Sequence, residues 1–151
     1  MKKLLISGFD PFGGEKINPS FEAVKLLSDV IGEYELTKIE LPTVFGRAAE
    51  IMSAKIEEIR PDAVICVGQA GGRRGITPEV IGINLREATI ADNAGAQLQN
   101  EPVSEGAPDG IFSTLPVREM VAAIKAEGLP ASLSFSAGAF VCNDLLFSLL
   151  N

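Results

Sequence analysis

Apolar positions fall in short blocks whose spacing switches between strand and helix periods. Residues 4–7 (Leu4, Leu5, Ile6, Ser7) form a short run that stops at Gly8, which predicts a buried strand feeding a loop over residues 8–14. Phe21, Val24 and Leu27 then recur every third residue behind Asn18-Pro19-Ser20, so Asn18 is expected to cap a helix and Pro19 to open it. Leu36, Ile39 and Leu41 interleave with Lys38 and Glu40 up to Pro42, the pattern of a strand. Phe45, Ala48, Ala49, Met52, Ile56 and Ile59 mark an amphipathic helix stopped by Pro61. An apolar run over residues 63–67 leads into a glycine-rich loop, 68–75, and residues 79–85 have strand character. Residues 93–110, rich in Asn, Gln, Gly, Pro and acids, read as a long surface excursion. Val117, Met120, Val121 and Ile124 put one apolar face on a helix over residues 115–127. A strand over 132–136 and a helix starting at Asn143 complete the pattern.

Strands that alternate with helices predict an α/β fold, a three-layer α/β/α sandwich with a largely parallel central sheet. No repeat, linker or low-complexity stretch divides residues 1–151, so one domain is expected. Asn151 follows Leu145, Leu146, Phe147, Leu149 and Leu150 without a capping residue, which suggests a domain truncated at its C-terminus.

Composition narrows the function. At 46% apolar and 22% charged residues the chain is globular rather than disordered. Thirteen basic against twenty acidic residues leave a net charge of −7, which argues against nucleic acid and anionic membranes as partners. No run approaches the ~20 apolar residues of a membrane span, and residues 4–6 are too few for a secretory core. The chain has no histidine, which excludes any His-ligated metal site and any Cys-His pair made within it. Cys66 and Cys142 match neither a redox pair nor a zinc pattern. They read as unlinked thiols in a reducing compartment, the cytoplasm. No metal and no cofactor is expected.

Cys142 follows a predicted strand and a run of small residues and stands at the mouth of a helix. A helix N-terminus stabilises a thiolate, and its N–H groups can hold an oxyanion. A small core residue is the other reading of this cysteine. Cys66, inside Val64-Ile65-Cys66-Val67, reads as inert core. Glu79, by local pattern, is either a solvated strand-edge acid or a site carboxylate. The loop over residues 68–75 lacks both GxGxxG spacing and a Walker lysine, so it suits a backbone turn near a small ligand better than a phosphate cradle. Phe9 and Phe12 flank Asp10-Pro11, as a lid over the core or as walls of a flat pocket.

Three long segments in register carry a resemblance. Gly8-Phe9-Asp10-Pro11-Phe12-Gly13-Gly14 with Asn18-Pro19-Ser20 is the first. The second is Val67-Gly68-Gln69-Ala70-Gly71-Gly72-Arg73 with Ile76-Thr77-Pro78-Glu79 and Ile83-Asn84, and the third is Ser134 through Asn143, with Phe140-Val141-Cys142 at its end. Together they resemble the pyrrolidone-carboxylate peptidases, the type I pyroglutamyl peptidases. The resemblance implies a cytosolic cysteine peptidase, commonly a homo-oligomer, that removes N-terminal pyroglutamate from peptides. It implies Cys142 as nucleophile and Glu79 as the acid that orients a histidine. Phe9, Phe12, Ile90, Phe140 and Val141 would line the ring pocket, and Gln69 would lie near the oxyanion.

The chain also departs from that family. The family's triad histidine lies in a segment after the cysteine, and none is present here. Val80 and Thr89 stand where the family usually has basic residues; the first should matter little, the second should weaken oxyanion stabilisation. A carboxylate is no substitute for the imidazole, because ordinary glutamate and thiol pKa values differ by about four units, roughly 5–6 kcal/mol uphill. Three readings follow: a pyroglutamyl peptidase with its C-terminal part missing, a relative that binds a lactam or peptide end without cleavage, and a nucleotide-binding domain using the 68–75 loop. The abrupt C-terminus favours the first, Val80 and Thr89 the second, and the third lacks any phosphate motif.

Overall fold

The computed structural model describes residues 1–151, which divide into two compact units. The first comprises residues 1–69 and 89–97, the second residues 70–88 and 98–151.

The first unit is a β-sheet flanked by helices. It contains β1 (Lys2–Phe9), α1 (Pro19–Leu26), β2 (Val30–Ile31), β3 (Tyr34–Leu41), α2 (Arg47–Ile59) and β4 (Ala63–Cys66). The strand order is β2-β3-β1-β4, with β3, β1 and β4 parallel and β2 added antiparallel at the edge. The central strand is buried on both faces from Leu5 to Phe9, as a parallel strand under helices requires. Ile6 packs with Val24 of α1 and Leu36 of β3. Leu41, Ala48, Ala49 and Met52 are also buried. Asn18 caps α1 as its sequence predicts, with Oδ1 accepting from Ser20 N at 3.0 Å. β1 runs past Gly8 to Phe9 because both residues continue the ladder with Glu40 and Leu41 of β3, and glycine is needed at position 8 because a Cβ there would lie 2.5 Å from Phe21 Cα of α1. The helix α2 ends on Arg60 in the left-handed conformation, one residue before Pro61.

Cys66 pairs with Ser7 across β4 and β1. Burial pushes its thiol up from 9.0 to about 11, opposed by the nearby Ser7 side chain. The unfolded chain therefore loses this proton first as pH rises from 9 to 11, and stability falls over that window by up to ~2–3 kcal/mol. Urea titrations at pH 8 and 11 should show a larger alkaline loss in the parent than in Cys66→Val. Equal losses would remove Cys66 as the cause.

The second unit holds β5 (Ile81–Ile83), β6 (Gly110–Phe112), α3 (Val117–Ala126) and α4 (Val141–Leu150). β5 and β6 pair antiparallel, and α4 packs on both. Residues 132–136 do not form the expected strand. They lie parallel to residues 76–80 through two isolated bridges, Ile76 with Ala131 and Glu79 with Ser134. Pro78 has no N–H for a continuous ladder, and the Ser134 and Ser136 hydroxyls draw the backbone into turns instead. The strand predicted over 79–85 shrinks to β5 for the same reason, as its first residues serve the bridges. The 93–110 excursion is tethered by side chains. Asp92 Oδ1 accepts from Ala94 N and Ala96 N, and the Asn84 amide binds Ser104 and Ala107.

Candidate active site

Cys142 is the second residue of α4, inside its first turn rather than before it. The lead-in is a pair of serine turns followed by Gly138, whose φ of +72° is a conformation few side chains tolerate. Phe140 then adopts extended geometry as N-cap and offers no capping oxygen to the first turn. Val141 is fully buried, while Phe140 and Cys142 are half-buried. The neither-buried-nor-exposed thiol and its backbone amides are elements that nucleophilic acyl transfer uses.

Asn143 fixes this helix start. Its Oδ1 accepts from Ile83 N at 2.9 Å, and its Nδ2 donates to Ile83 O at 2.8 Å and Leu85 O at 3.3 Å. The adjacent Asp144 carboxylate accepts from Arg86 Nε at 2.6 Å. Glu87 N donates to Ala139 O at 2.9 Å. Both Asn143 and Asp144 are fully buried, so the turn that carries Cys142 is tied to the chain leaving β5.

Glu79 is partly buried and lies beside Ser134. Arg73 Nη1 donates to its Oε1 at 3.2 Å and also to Thr77 Oγ1 and Ser134 Oγ, both at 2.9 Å; Nη2 donates to Ser136 O at 2.9 Å. Glu79 Oε2 is buried and has no hydrogen-bond partner. One oxygen is thus pinned and the other remains an acceptor in search of a donor. Arg73 is a residue that sequence reasoning passed over as part of a glycine-rich loop; its place beside Thr77 and Glu79 was the available signal. A groove of about 660 Å³ runs along Arg73, Arg74, Thr77 and residues 130–136, and neither Cys142 nor Glu79 lines it.

The remaining predicted residues belong to the first unit. Phe9 ends β1 and is 3% exposed, Phe12 is half-buried and Ile90 is 43% exposed. A Cβ on Gly13 would lie 3.5 Å from Ile90 Cδ1, so the loop carrying Phe12 sits against Ile90. Asp10 holds these loops together. Its Oδ1 accepts from Thr43 N at 2.7 Å, Thr43 Oγ1 at 2.8 Å and Asn93 Nδ2 at 3.1 Å. Asp92 Oδ2 accepts from Phe45 N at 3.0 Å. Gln69 is exposed at the end of this unit's main segment. Thr89 is exposed, and Val80 uses its backbone N–H on Ser134 O.

An α/β chain with a thiol in a helix's first turn and a half-satisfied buried carboxylate has the parts of a thiol hydrolase. A sequence profile of the pyroglutamyl peptidase family matches residues 2–151. Pyrrolidone-carboxylate peptidase 1 of Streptococcus pneumoniae is 51% identical over 148 residues, covering 98% of this chain and 69% of the relative. The Streptococcus pyogenes serotype M4 pyrrolidone-carboxylate peptidase is 52% identical with the same coverage. The crystal structure of Bacillus amyloliquefaciens pyroglutamyl peptidase I superposes with a TM-score of 0.96 at 47% identity, over 99% of this chain and 73% of that one. The A199P mutant pyrrolidone carboxyl peptidase of Pyrococcus furiosus gives 0.93 at 42% identity, over 97% and 71%. The chain belongs to the pyroglutamyl peptidase family, cysteine peptidases that remove N-terminal pyroglutamate, and its fold is the α/β fold of those structures.

Proposed function

We propose that this chain acts on peptides with an N-terminal pyroglutamyl residue and that Cys142 is the nucleophile. The observation that carries the reading is the Cys142 thiol in the first turn of α4, on a helix start held by Asn143. The thiolate attacks the pyroglutamyl carbonyl, and first-turn amides stabilise the oxyanion. The C–N bond then breaks, the peptide leaves as an amine that takes up a proton, and water hydrolyses the thioester. Phe140, half-buried beside Cys142, offers apolar surface to a neutral lactam, which needs no carboxylate partner for an ammonium, whereas Phe9 and Val141 are buried and offer none. A site that hydrogen-bonds the lactam carbonyl rejects proline, which leaves that donor unpaired.

Glu79 acts by orientation. Arg73 occupies Oε1, and the buried Oε2 is the acceptor suited to an imidazole N–H. This chain carries no histidine to supply it. Val80 and Thr89, which stand where the family usually has basic residues, favour as a second reading a lactam-binding relative without turnover. The peptidase reading also places the protein in the cytoplasm, where thiols stay reduced, and as a homo-oligomer. No helix is long and apolar enough to cross a membrane.

A pyroglutamyl chloromethyl ketone tests the recognition step directly. It should alkylate Cys142, and 5-oxoprolinamide should protect while prolinamide should not. Labelling that neither amide slows would overturn the assignment.

A further inference from the structure

The first turn of α4 holds two groups that compete for the same electrostatic environment. Cys142 is its second residue, and the fully buried Asp144 follows two positions later. A thiolate and a carboxylate near one helix N-terminus both draw on its positive end, and each disfavours ionisation of the other. Arg86 answers this conflict. Its Nε meets Asp144 Oδ1 at 2.6 Å, with the guanidinium 20% exposed and the carboxylate fully buried. The backbone on both sides of the pair is fixed, because the Asn143 amide is bonded to Ile83 and Leu85.

We propose that Arg86 and Asp144 are positioning residues for Cys142: the ion pair cancels the carboxylate's charge in the helix's first turn and locks that turn to the chain leaving β5. This rests on the reading of Cys142 as the nucleophile and explains how its thiolate coexists with a buried acid. The other charged groups around this turn have partners of their own. Glu87, bonded to Ala139 O through its N–H, accepts from Asn100 N with its carboxylate. Arg73, on Ser136 O, pairs with Glu79. β5 and β6, the strands under α4, carry no charged residue.

The test is the pH profile of Cys142 alkylation by iodoacetamide in four forms of the chain: parent, Arg86→Gln, Asp144→Asn and the double variant. Arg86→Gln should raise the midpoint by about one pH unit and slow alkylation at pH 7 about tenfold, because it leaves the carboxylate without its guanidinium. Asp144→Asn should lower the midpoint, and the double variant should return it to within about 0.3 of the parent. Labelling of Cys66, a thiol raised to about 11 by burial, reports any variant that unfolds. An Asp144→Asn profile that matches the parent overturns the proposal, whether or not Arg86→Gln folds. A double variant that stays shifted like Arg86→Gln overturns it as well. Iodoacetamide reads the thiol whatever the substrate is, so failure here leaves the pyroglutamyl reading standing, and failure of the ketone labelling leaves these profiles intact.

Discussion

Joined to the histidine-bearing segment of a family member, this chain should hydrolyse a chromogenic pyroglutamyl amide about 10²–10⁴-fold faster than the 151-residue form. Acyl transfer to sulfur takes a proton from the thiol and gives one to the departing amine, so one group must cycle near neutral pH. Imidazole is the side chain whose ordinary pKa lies there, and the chain has none. First-turn amides can favour a thiolate without a base, so attack still proceeds. The amine would have to leave unprotonated, so the tetrahedral adduct expels the thiolate and reverts to substrate more readily than it breaks down. On the proposed reading Glu79 orients that imidazole, with Oε1 held by Arg73 and Oε2 buried and unpartnered. In the extended protein, Glu79→Gln should forfeit much of the gain, because an amide cannot stabilise an imidazolium as a carboxylate does. Binding of 5-oxoprolinamide should change far less than turnover. Equal turnover in the short and extended forms would sink the argument and would mean that a residue already present does the proton transfer.

At pH 8, iodoacetamide should modify Cys142 at least ~100-fold faster than Cys66 in the folded chain. The thiol of Cys66 is pushed to about 11 because β4 buries it against β1, so only about 0.1% of it is thiolate at that pH. A thiol of ordinary acidity is about a quarter thiolate under the same conditions. The two cysteines also differ in setting. Cys66 faces Ser7 within a parallel sheet, whereas Cys142 follows a glycine turn at a helix start. Peptide mapping by mass spectrometry after short exposures gives both rates. Cys66 modified first would refute the assignment of the nucleophile. Addition of urea should erase the difference, since it rests on folded-state burial.

The two tests are independent. The first asks whether the chemistry is complete, the second whether the thiol is prepared. A chain that shows selective Cys142 alkylation and no turnover is a loaded nucleophile without its proton carrier, and the ketone labelling then distinguishes a lactam pocket from a merely reactive thiol.

Much of this protein is local. Period-three apolar positions and Asn18-Pro19 specify α1, the Pro61 stop ends α2, and the apolar run at 63–66 becomes β4, because each depends on neighbours within a turn or a strand. The motif around Cys142 was legible for the same reason: small residues, a glycine turn and an aromatic N-cap lie consecutively along the chain. What the tertiary structure alone decided are pairings across long separations. Residues 132–136 have a strand's composition, yet the segment opposite contains Pro78 and permits only two bridges. Asp10 meets Thr43 and Asn93, Arg73 meets Ser134 and Ser136, and Arg86 meets Asp144, 58 positions away. A charged or polar side chain shows in sequence that it needs a partner. Which partner it finds depends on loop closures and sheet register that no local period encodes, and those contacts fix Glu79's free oxygen and the helix turn that bears the thiol.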